Sequence, residues 1–176
     1  MNQTFIALLG AVLCGGLLSG CGTAKPEAMV PTAFLLEQKH ASSVSVSPPI
    51  GKEAKAKWTS EISSEAFLEA VAQSLQKSGL FAAVLKTSDA DYDLQISYIN
   101  GDEPALGFNM TVDLVTRWIL TKKSSGQAVF QENVSSTYTA KMGDAFAGAT
   151  RLRLANEGVA RANIKEGIRR LSKLKL

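Results

Sequence analysis

Three segments in the middle of the chain alternate apolar and polar residues and are separated only by short turns. They cover residues 91–99, 108–120 and 128–140. A period of two is typical of strands that bury one face and expose the other. The connections at 100–104 and 122–127 contain glycine, asparagine, proline and serine, which favour turns. Because such short loops join neighbouring strands in opposite directions, these segments predict an antiparallel meander. The apolar face of its middle segment is expected to start with Phe108, Met110 and Val112.

A helix is predicted before the meander and another after it. The first follows SSEAFLEAVAQSLQKSG, in which Phe67, Val71 and Leu75 recur every fourth position. A serine at 63 or 64 can cap its start, and Gly79 can end it. The second covers roughly residues 146–173 and places its apolar residues on one broad face.

Two glycines interrupt the second helix. Gly158 and Gly167 each weaken a helix by about 1 kcal/mol relative to alanine. A small residue also lets a helix approach a neighbouring element closely. We therefore expect them where this helix crosses a strand or the first helix.

The remaining elements complete an α+β fold. SSVSVSP predicts a short strand ended by Pro48 and Pro49, and residues 80–85 form either another strand or only a connector. Two amphipathic helices and about four strands bury their apolar faces most simply in two layers. The predicted fold is an antiparallel meander of about four strands with both helices on one face.

The first twenty residues are apolar and contain no Asp, Glu, Lys or Arg. They are too short and too glycine-rich to span a bilayer comfortably and lie where a secretory leader belongs. Leu18-Ser19-Gly20-Cys21 resembles the lipobox of bacterial lipoproteins, although the leader lacks the usual basic residue. The resemblance implies that 1–20 is a signal peptide and that Cys21 carries covalent acyl lipid. The alternative is an ordinary leader that happens to contain a cysteine.

Lipidation would leave the mature chain without a free thiol. Cys14 lies in the leader and Cys21 would be acylated, and the chain contains only these two cysteines. A disulfide, a thiolate metal site and a cysteine nucleophile are then excluded. Gly22 follows Cys21, and the lack of aspartate there implies, by resemblance to enterobacterial sorting, the inner leaflet of the outer membrane, facing the periplasm.

The mature chain is long enough for one domain. Residues 21–41 predict the lipidated cysteine and a flexible tether, because proline, glycine and small residues show no periodicity there. Residues 42–176 predict a single periplasmic domain. The net charge is only +3, which gives no reason to expect nucleic acid as a partner.

The stretch 46–101 resembles the ABC-type transport auxiliary lipoproteins, with a weaker likeness continuing through the next two strands. The residues that carry the resemblance are Trp58, Leu68, Leu75, Ser78-Gly79-Leu80-Phe81, Val84 and Ala90-Asp91-Tyr92-Asp93-Leu94. It implies a non-catalytic partner in lipid transport within the cell envelope and brings no catalytic residues.

The residues themselves offer little for catalysis or cofactor binding. The only histidine, His40, lies in the predicted tether, where it is expected to be solvated. Asp89, Asp91 and Asp93 faintly resemble a calcium loop, but strand alternation explains them better. We therefore expect no enzyme, no metal and no cofactor other than acyl lipid on Cys21.

The last helix is basic. Arg151, Arg161, Lys165 and Arg169 lie largely opposite its apolar face. They form either an ordinary solvated face or a docking surface for anionic lipid or an acidic partner. Trp58 and Trp118 are likewise either core aromatics or exposed anchors.

Two functions fit this sequence. The first is a non-catalytic auxiliary or adaptor subunit of an envelope transport or assembly system, held at the membrane by its lipid and bound to an envelope protein partner. It would use an exposed sheet edge or the basic helix. The alternative is a carrier that binds lipid or a small apolar ligand in a groove between sheet and helices.

Overall fold

The computed structural model of this chain describes residues 24–49, 58–87 and 89–176. Cys21 and the predicted leader lie outside these residues. Within them, the elements in chain order are α1 (Pro26–Met29), β1 (His40–Ser47), α2 (Ser64–Ser78), β2 (Phe81–Leu85), β3 (Tyr92–Asp102), β4 (Met110–Lys122), β5 (Gln127–Ala140) and α3 (Gly148–Leu171).

The strands form one mixed sheet in the order β2-β1-β3-β4-β5. The pairs β3–β4 and β4–β5 are antiparallel, as predicted. The prediction of a purely antiparallel meander of about four strands is wrong, because β1 runs parallel to both β2 and β3. The reason is the position of α2, which returns the chain between β1 and β2 and so allows parallel pairing.

The predicted ends of α2 are confirmed. Ser63 precedes the helix in an extended conformation, and its Oγ accepts a hydrogen bond from the backbone N–H of Ala66 at 3.1 Å. Gly79 closes the helix with φ of 61°, a left-handed conformation that glycine adopts without strain. Its N–H donates to the carbonyls of Leu75 and Gln76.

The core lies between the sheet and helices α2 and α3. Trp118 is fully buried and donates from Nε1 to Thr116 Oγ1 at 2.8 Å, while Trp58 packs against Phe67 with ring centroids 4.6 Å apart. Both tryptophans are therefore core aromatics. The other fully buried large side chains from several elements are Met29, Leu75, Leu80, Leu94, Ile96, Leu114, Leu120, Ile164, Ile168 and Leu171.

The close crossings predicted at the two glycines of α3 are confirmed. A Cβ at Gly167 would lie 2.5 Å from the ring of Trp118 on β4, and one at Gly158 would lie 2.2 Å from the ring of Tyr138 on β5. Only glycine permits contacts this short. The buried ring of Trp118 therefore sets how closely α3 approaches the sheet.

The segment before β1 differs from the predicted tether. Ala24 is buried, and its N–H donates to the carbonyl of Glu61 at 2.7 Å. Met29 is fully buried, and Phe34 and Leu36 pack against the core. The prediction of a flexible tether through residue 41 is wrong for residues 24–41, because these apolar side chains are used to cover the core. The described part of the domain starts at Ala24 instead of Ser42.

His40 belongs to the packed domain. It begins β1, is 6% exposed, and stacks obliquely on Phe81 with ring centroids 5.0 Å apart. Its Nε2 lies 3.0 Å from the carbonyl oxygen of Leu171 at the end of α3. The expectation of a solvated histidine is therefore wrong, and the histidine joins β1 to the last turn of α3.

The helix α3 begins two residues later than expected, which changes the environment of Phe146. That side chain is 91% exposed, and Phe108, which was expected to start the apolar face of β4, is 77% exposed. Strand β4 begins at Met110, so both phenylalanines lie in loops.

No helix among the described residues is long and apolar enough to span a bilayer.

Candidate interaction surfaces

The predicted basic surface of α3 is divided by the fold. Arg151 lies in the first turn, whereas Arg161, Lys165 and Arg169 follow one another at intervals of four residues and so share a stripe. At 1.5 Å per residue, Arg151 and Arg169 are about 27 Å apart along the helix axis. Arg151 is therefore separated along the helix from the other three side chains.

Arg151 is buried rather than solvated. Its exposed fraction is 7%, and Nη1 donates to the carbonyls of Ala145 and Phe146 at 2.8 and 2.6 Å. Nη2 donates to the carbonyl of Gly107 at 3.2 Å. Since Gly107 is in the β3–β4 loop and the other two carbonyls are in the β5–α3 loop, Arg151 ties these loops together.

Arg161 and Lys165 flank the N-terminal segment. The guanidinium of Arg161 donates to the carbonyl of Ala28 in α1, and Lys165 is exposed. Together with Pro31, Tyr138 and their neighbours, both line a shallow cleft of about 240 Å³. Arg161 thus holds the N-terminal segment against α3, which leaves Lys165 as the more accessible cation of this pair.

Arg169 is engaged in an ion-pair network at the far end of α3. Its Nε and Nη2 donate to the carboxylate of Glu166, each at 2.7 Å, and Arg170 donates to the same carboxylate at 2.8 Å. These hydrogen bonds lower the pKa of Glu166 to about 2 and raise the pKa of Arg169. Arg170 also bonds Glu132 on β5 at 2.9 Å. The network neutralises much of the basic charge there.

The sheet offers two edges of very different length. Strand β2 has 5 residues, whereas β5 has 14 and pairs on one side only, with β4. An edge strand presents backbone N–H and C=O groups that can pair with an extended segment of another chain. The exposed side chains along β5 include Gln131, Ser135 and Thr137, so this edge is polar as well as long.

The sheet face away from the helices is also polar. Ser45 and Ser47 on β1 donate to the carboxylate of Asp93 on β3, at 2.8 and 2.7 Å. The backbone N–H and the hydroxyl of Ser43 donate to Asp91, which lowers the pKa of Asp91. Asp93 therefore links β3 to β1, and Asp91, which lies just before β3, bonds to β1 as well. Among the described residues, no group of three or more histidines or carboxylates is placed to hold a metal ion.

Core side chains fill the centre of the space between the sheet and the helices, where the carrier alternative places a groove. A cleft of about 510 Å³ lies instead at the margin, between α2 and the strands β1 and β2. Its apolar lining includes Val46, Leu68 and Val84, while Glu65, Glu69, Gln73, Gln76 and Lys86 make its other walls polar. The volume is in the range of small-molecule sites, and both α2, through Leu68, and the strands, through Val46 and Val84, contribute apolar side chains to it.

Known proteins resemble this chain in fold. No family model matches the sequence, and no curated protein matches it either. The crystal structure of a Xanthomonas campestris protein of family DUF330 superimposes with a TM-score of 0.60 and 15% identity, covering 86% of this chain and 93% of that one. A minor lipoprotein from Acinetobacter baumannii superimposes with a TM-score of 0.53 and 12% identity, covering 75% and 93%. The chain therefore shares the fold of these bacterial proteins, one of which is described as a lipoprotein.

Proposed function

We propose that this protein is a bacterial lipoprotein, anchored through acyl lipid on Cys21 to the periplasmic face of the outer membrane. Its role is that of a non-catalytic adaptor in an envelope transport or assembly system. We infer the lipid anchor from the sequence Leu18-Ser19-Gly20-Cys21 at the end of an uncharged leader. The domain fold, which the Acinetobacter baumannii lipoprotein shares, supports it.

The packing of the N-terminal segment supports a fixed attachment. Ala24 is bonded to Glu61 only three residues after Cys21. Three residues span at most about 10 Å even when fully extended. The domain is therefore held close to its lipid rather than at the end of a long tether.

We assign the adaptor contact to the edge of β5. A partner segment in extended conformation can add to this edge through backbone hydrogen bonds. The edge runs for 14 residues, and most of its exposed side chains are polar, with Val129 and Tyr138 as the large exposed apolar ones. This contact needs no catalytic group and agrees with the auxiliary-subunit role that the family resemblance implies.

Mass spectrometry tests the lipid anchor, and photo-crosslinking in living cells tests the adaptor contact at β5. The mature N-terminal peptide is expected to start at Cys21 and to carry three acyl chains. A photoreactive residue at Gln131 or Ser135 on β5 is expected to capture one envelope protein, and Cys21→Ser is expected to abolish the capture.

The same probe at Ala82 is the matched control, because Ala82 is exposed on β2, the opposite edge. Equal capture from both edges, or capture that survives Cys21→Ser, would contradict the adaptor role. An unmodified cysteine would contradict the anchor.

The marginal cleft favours a second candidate, a carrier of lipid or a small apolar ligand. In that case the purified protein binds an environment-sensitive apolar dye without any partner, and Leu68→Asp in the cleft weakens binding. Leu35→Asp is the control, because Leu35 is 70% exposed and does not line the cleft. Equal dye binding by both variants would rule out the cleft as the carrier site.

A further inference from the structure

Four large apolar side chains are exposed together where the sheet meets the start of α3. Leu106 is 90% exposed, Phe108 77%, Met142 48% and Phe146 91%. The first two belong to the β3–β4 loop and the others to the β5–α3 loop. We call these four side chains the apolar tip. Monomeric soluble domains rarely expose so many large apolar groups in one place, and such patches mark contact sites.

The two loops that carry the apolar tip are held in place. Arg151 donates hydrogen bonds to carbonyls of both loops, as described above. The N–H of Met142 donates to Asn109 Oδ1 at 3.3 Å, which links the loops a second time. Phe108, Met142 and Phe146 also line one shallow cleft with Arg151. The exposure of the apolar tip is therefore maintained by hydrogen bonds that join the two loops to each other and to Arg151.

The described chain starts at the same end of the molecule. Ala24 N–H donates to the Glu61 carbonyl, and the neighbouring Ser60 N–H donates to Glu103 Oε2 at 2.9 Å. Glu103 also accepts from Asn156 of α3 at 2.7 Å. Since Glu103 is three residues before Leu106, a short path of contacts connects Ala24 to the apolar tip. From Ala24 the segment runs along α3 toward Leu171, away from the tip.

We propose that the apolar tip inserts into the interfacial layer of the bilayer that holds the lipid anchor. The proposal rests on the proposed acylation of Cys21, which lies three residues from Ala24 and so brings the membrane surface to this end of the molecule. Two phenylalanines, a leucine and a methionine on fixed loops are the side chains that partition into this layer. The anchor and the tip then fix the domain at two points, with the C-terminal end of α3 pointing away from the membrane.

Lipid photo-crosslinking on the lipidated protein tests this orientation. The mature protein is reconstituted in vesicles of phosphatidylethanolamine and phosphatidylglycerol that carry a diazirine on one acyl chain. After illumination and proteolysis, peptides covering 104–109 and 141–147 are expected to carry lipid, and peptides covering 171–176 are not. The double variant Phe108→Ser/Phe146→Ser is expected to lose most of the label at both loops. Leu35→Ser, which removes an exposed leucine away from the tip, is expected to keep it.

The same spectra separate the two proposals. The mass of the N-terminal peptide reports acylation of Cys21 independently of the loops. An acylated cysteine with unlabelled loops would overturn the membrane contact and leave the anchor standing, whereas an unmodified cysteine would overturn the anchor. The apolar tip could instead bind a second copy of the chain. In that case the loops stay unlabelled, the protein is a dimer, and Phe108→Ser/Phe146→Ser makes it monomeric. That result would also overturn the membrane contact.

Discussion

The two ends of α3 are built in opposite ways. At its start, the charged group is buried and the apolar groups are exposed: Arg151 lies beneath loops that display Phe108 and Phe146. At its end, Leu171 is fully buried, and Arg169, Arg170 and Glu166 form ion pairs at the surface. The second arrangement is the usual one for a helix in water. At the start of α3, a buried arginine instead holds loops whose apolar side chains are exposed to solvent. This arrangement indicates a contact with another surface at that end.

Substitution of Gly167 on α3 is expected to have the largest effect on stability. Gly167→Ala would drive a methyl group into the ring of Trp118, which is fully buried and cannot move aside. We expect a loss of about 3 kcal/mol in the free energy of unfolding, measured by urea denaturation, even after the gain in helix propensity.

Gly158→Ala is the matched comparison, because Tyr138 opposite it is 38% exposed and can swing toward solvent. Its cost is expected to be smaller than that of Gly167→Ala, because the helix propensity of alanine offsets part of the displacement of Tyr138. Equal losses at the two positions would contradict the idea that the packing of α3 on β4 is the rigid one.

Substitutions of Arg151 and Arg169 are expected to have the next largest effects on stability. Arg151→Met removes three charge-assisted hydrogen bonds to carbonyls of the two loops and is expected to cost about 2 kcal/mol, measured by thermal unfolding. Hydrogen exchange is expected to rise in both loops at the apolar tip. Arg169→Met removes only a surface ion pair, so a smaller shift is expected and no change in those loops. Loops that stay protected in Arg151→Met would contradict the role of Arg151 in holding the tip.

The pH dependence at the C-terminal end is expected to be smaller still. Because the folded pKa of Glu166 is about 2, below its ordinary value of 4.5, its ionised form stabilises the fold above pH 4.5. This contribution is lost as the pH falls toward 2. We therefore expect Glu166→Gln to be less stable than the wild type at pH 7 and the difference to shrink at pH 2.5, measured by urea denaturation. A difference that does not change with pH would contradict this ion pair.

Removal of the exposed phenylalanines is expected to have the least effect on folding. Phe108→Ser/Phe146→Ser should change the free energy of unfolding by less than about 0.5 kcal/mol, because neither side chain is buried. Urea denaturation of the vesicle-free protein measures this. A large loss would mean that the apolar tip belongs to the core, which would remove the contrast between the two ends.

Local patterns predicted the elements that local chemistry determines. The cap at Ser63, the stop at Gly79, the antiparallel strands β3 to β5 and the close crossings at Gly158 and Gly167 all followed from residue type and period. The parallel placement of β1 was missed although its signal, the helix between β1 and β2, was present. A crossover helix allows parallel neighbours, and the short loops elsewhere do not.

The remaining differences depend on tertiary contacts. Residues 24–41 are aperiodic and resemble a linker, yet Met29 and His40 are buried because α3 offers them a surface. Helical phase placed Arg151 opposite the apolar face, but the β5–α3 loop folds over that first turn and buries it. The alternation at Phe108 continues past the point where β4 begins, since neighbouring strands decide where a strand starts. The exposed tip therefore had no local signal.

The orientation of the domain on the membrane can be measured from the depth of two nitroxide labels in the lipidated protein bound to vesicles. Ala145→Cys places a label beside the apolar tip, and Lys175→Cys places one beyond the other end of α3. If the apolar tip is inserted, the label at 145 is relaxed by oxygen and shielded from a water-soluble nickel chelate, while the label at 175 shows the reverse. Equal access of nickel to both labels, or a deeper label at 175, would contradict a domain held with the start of α3 against the membrane.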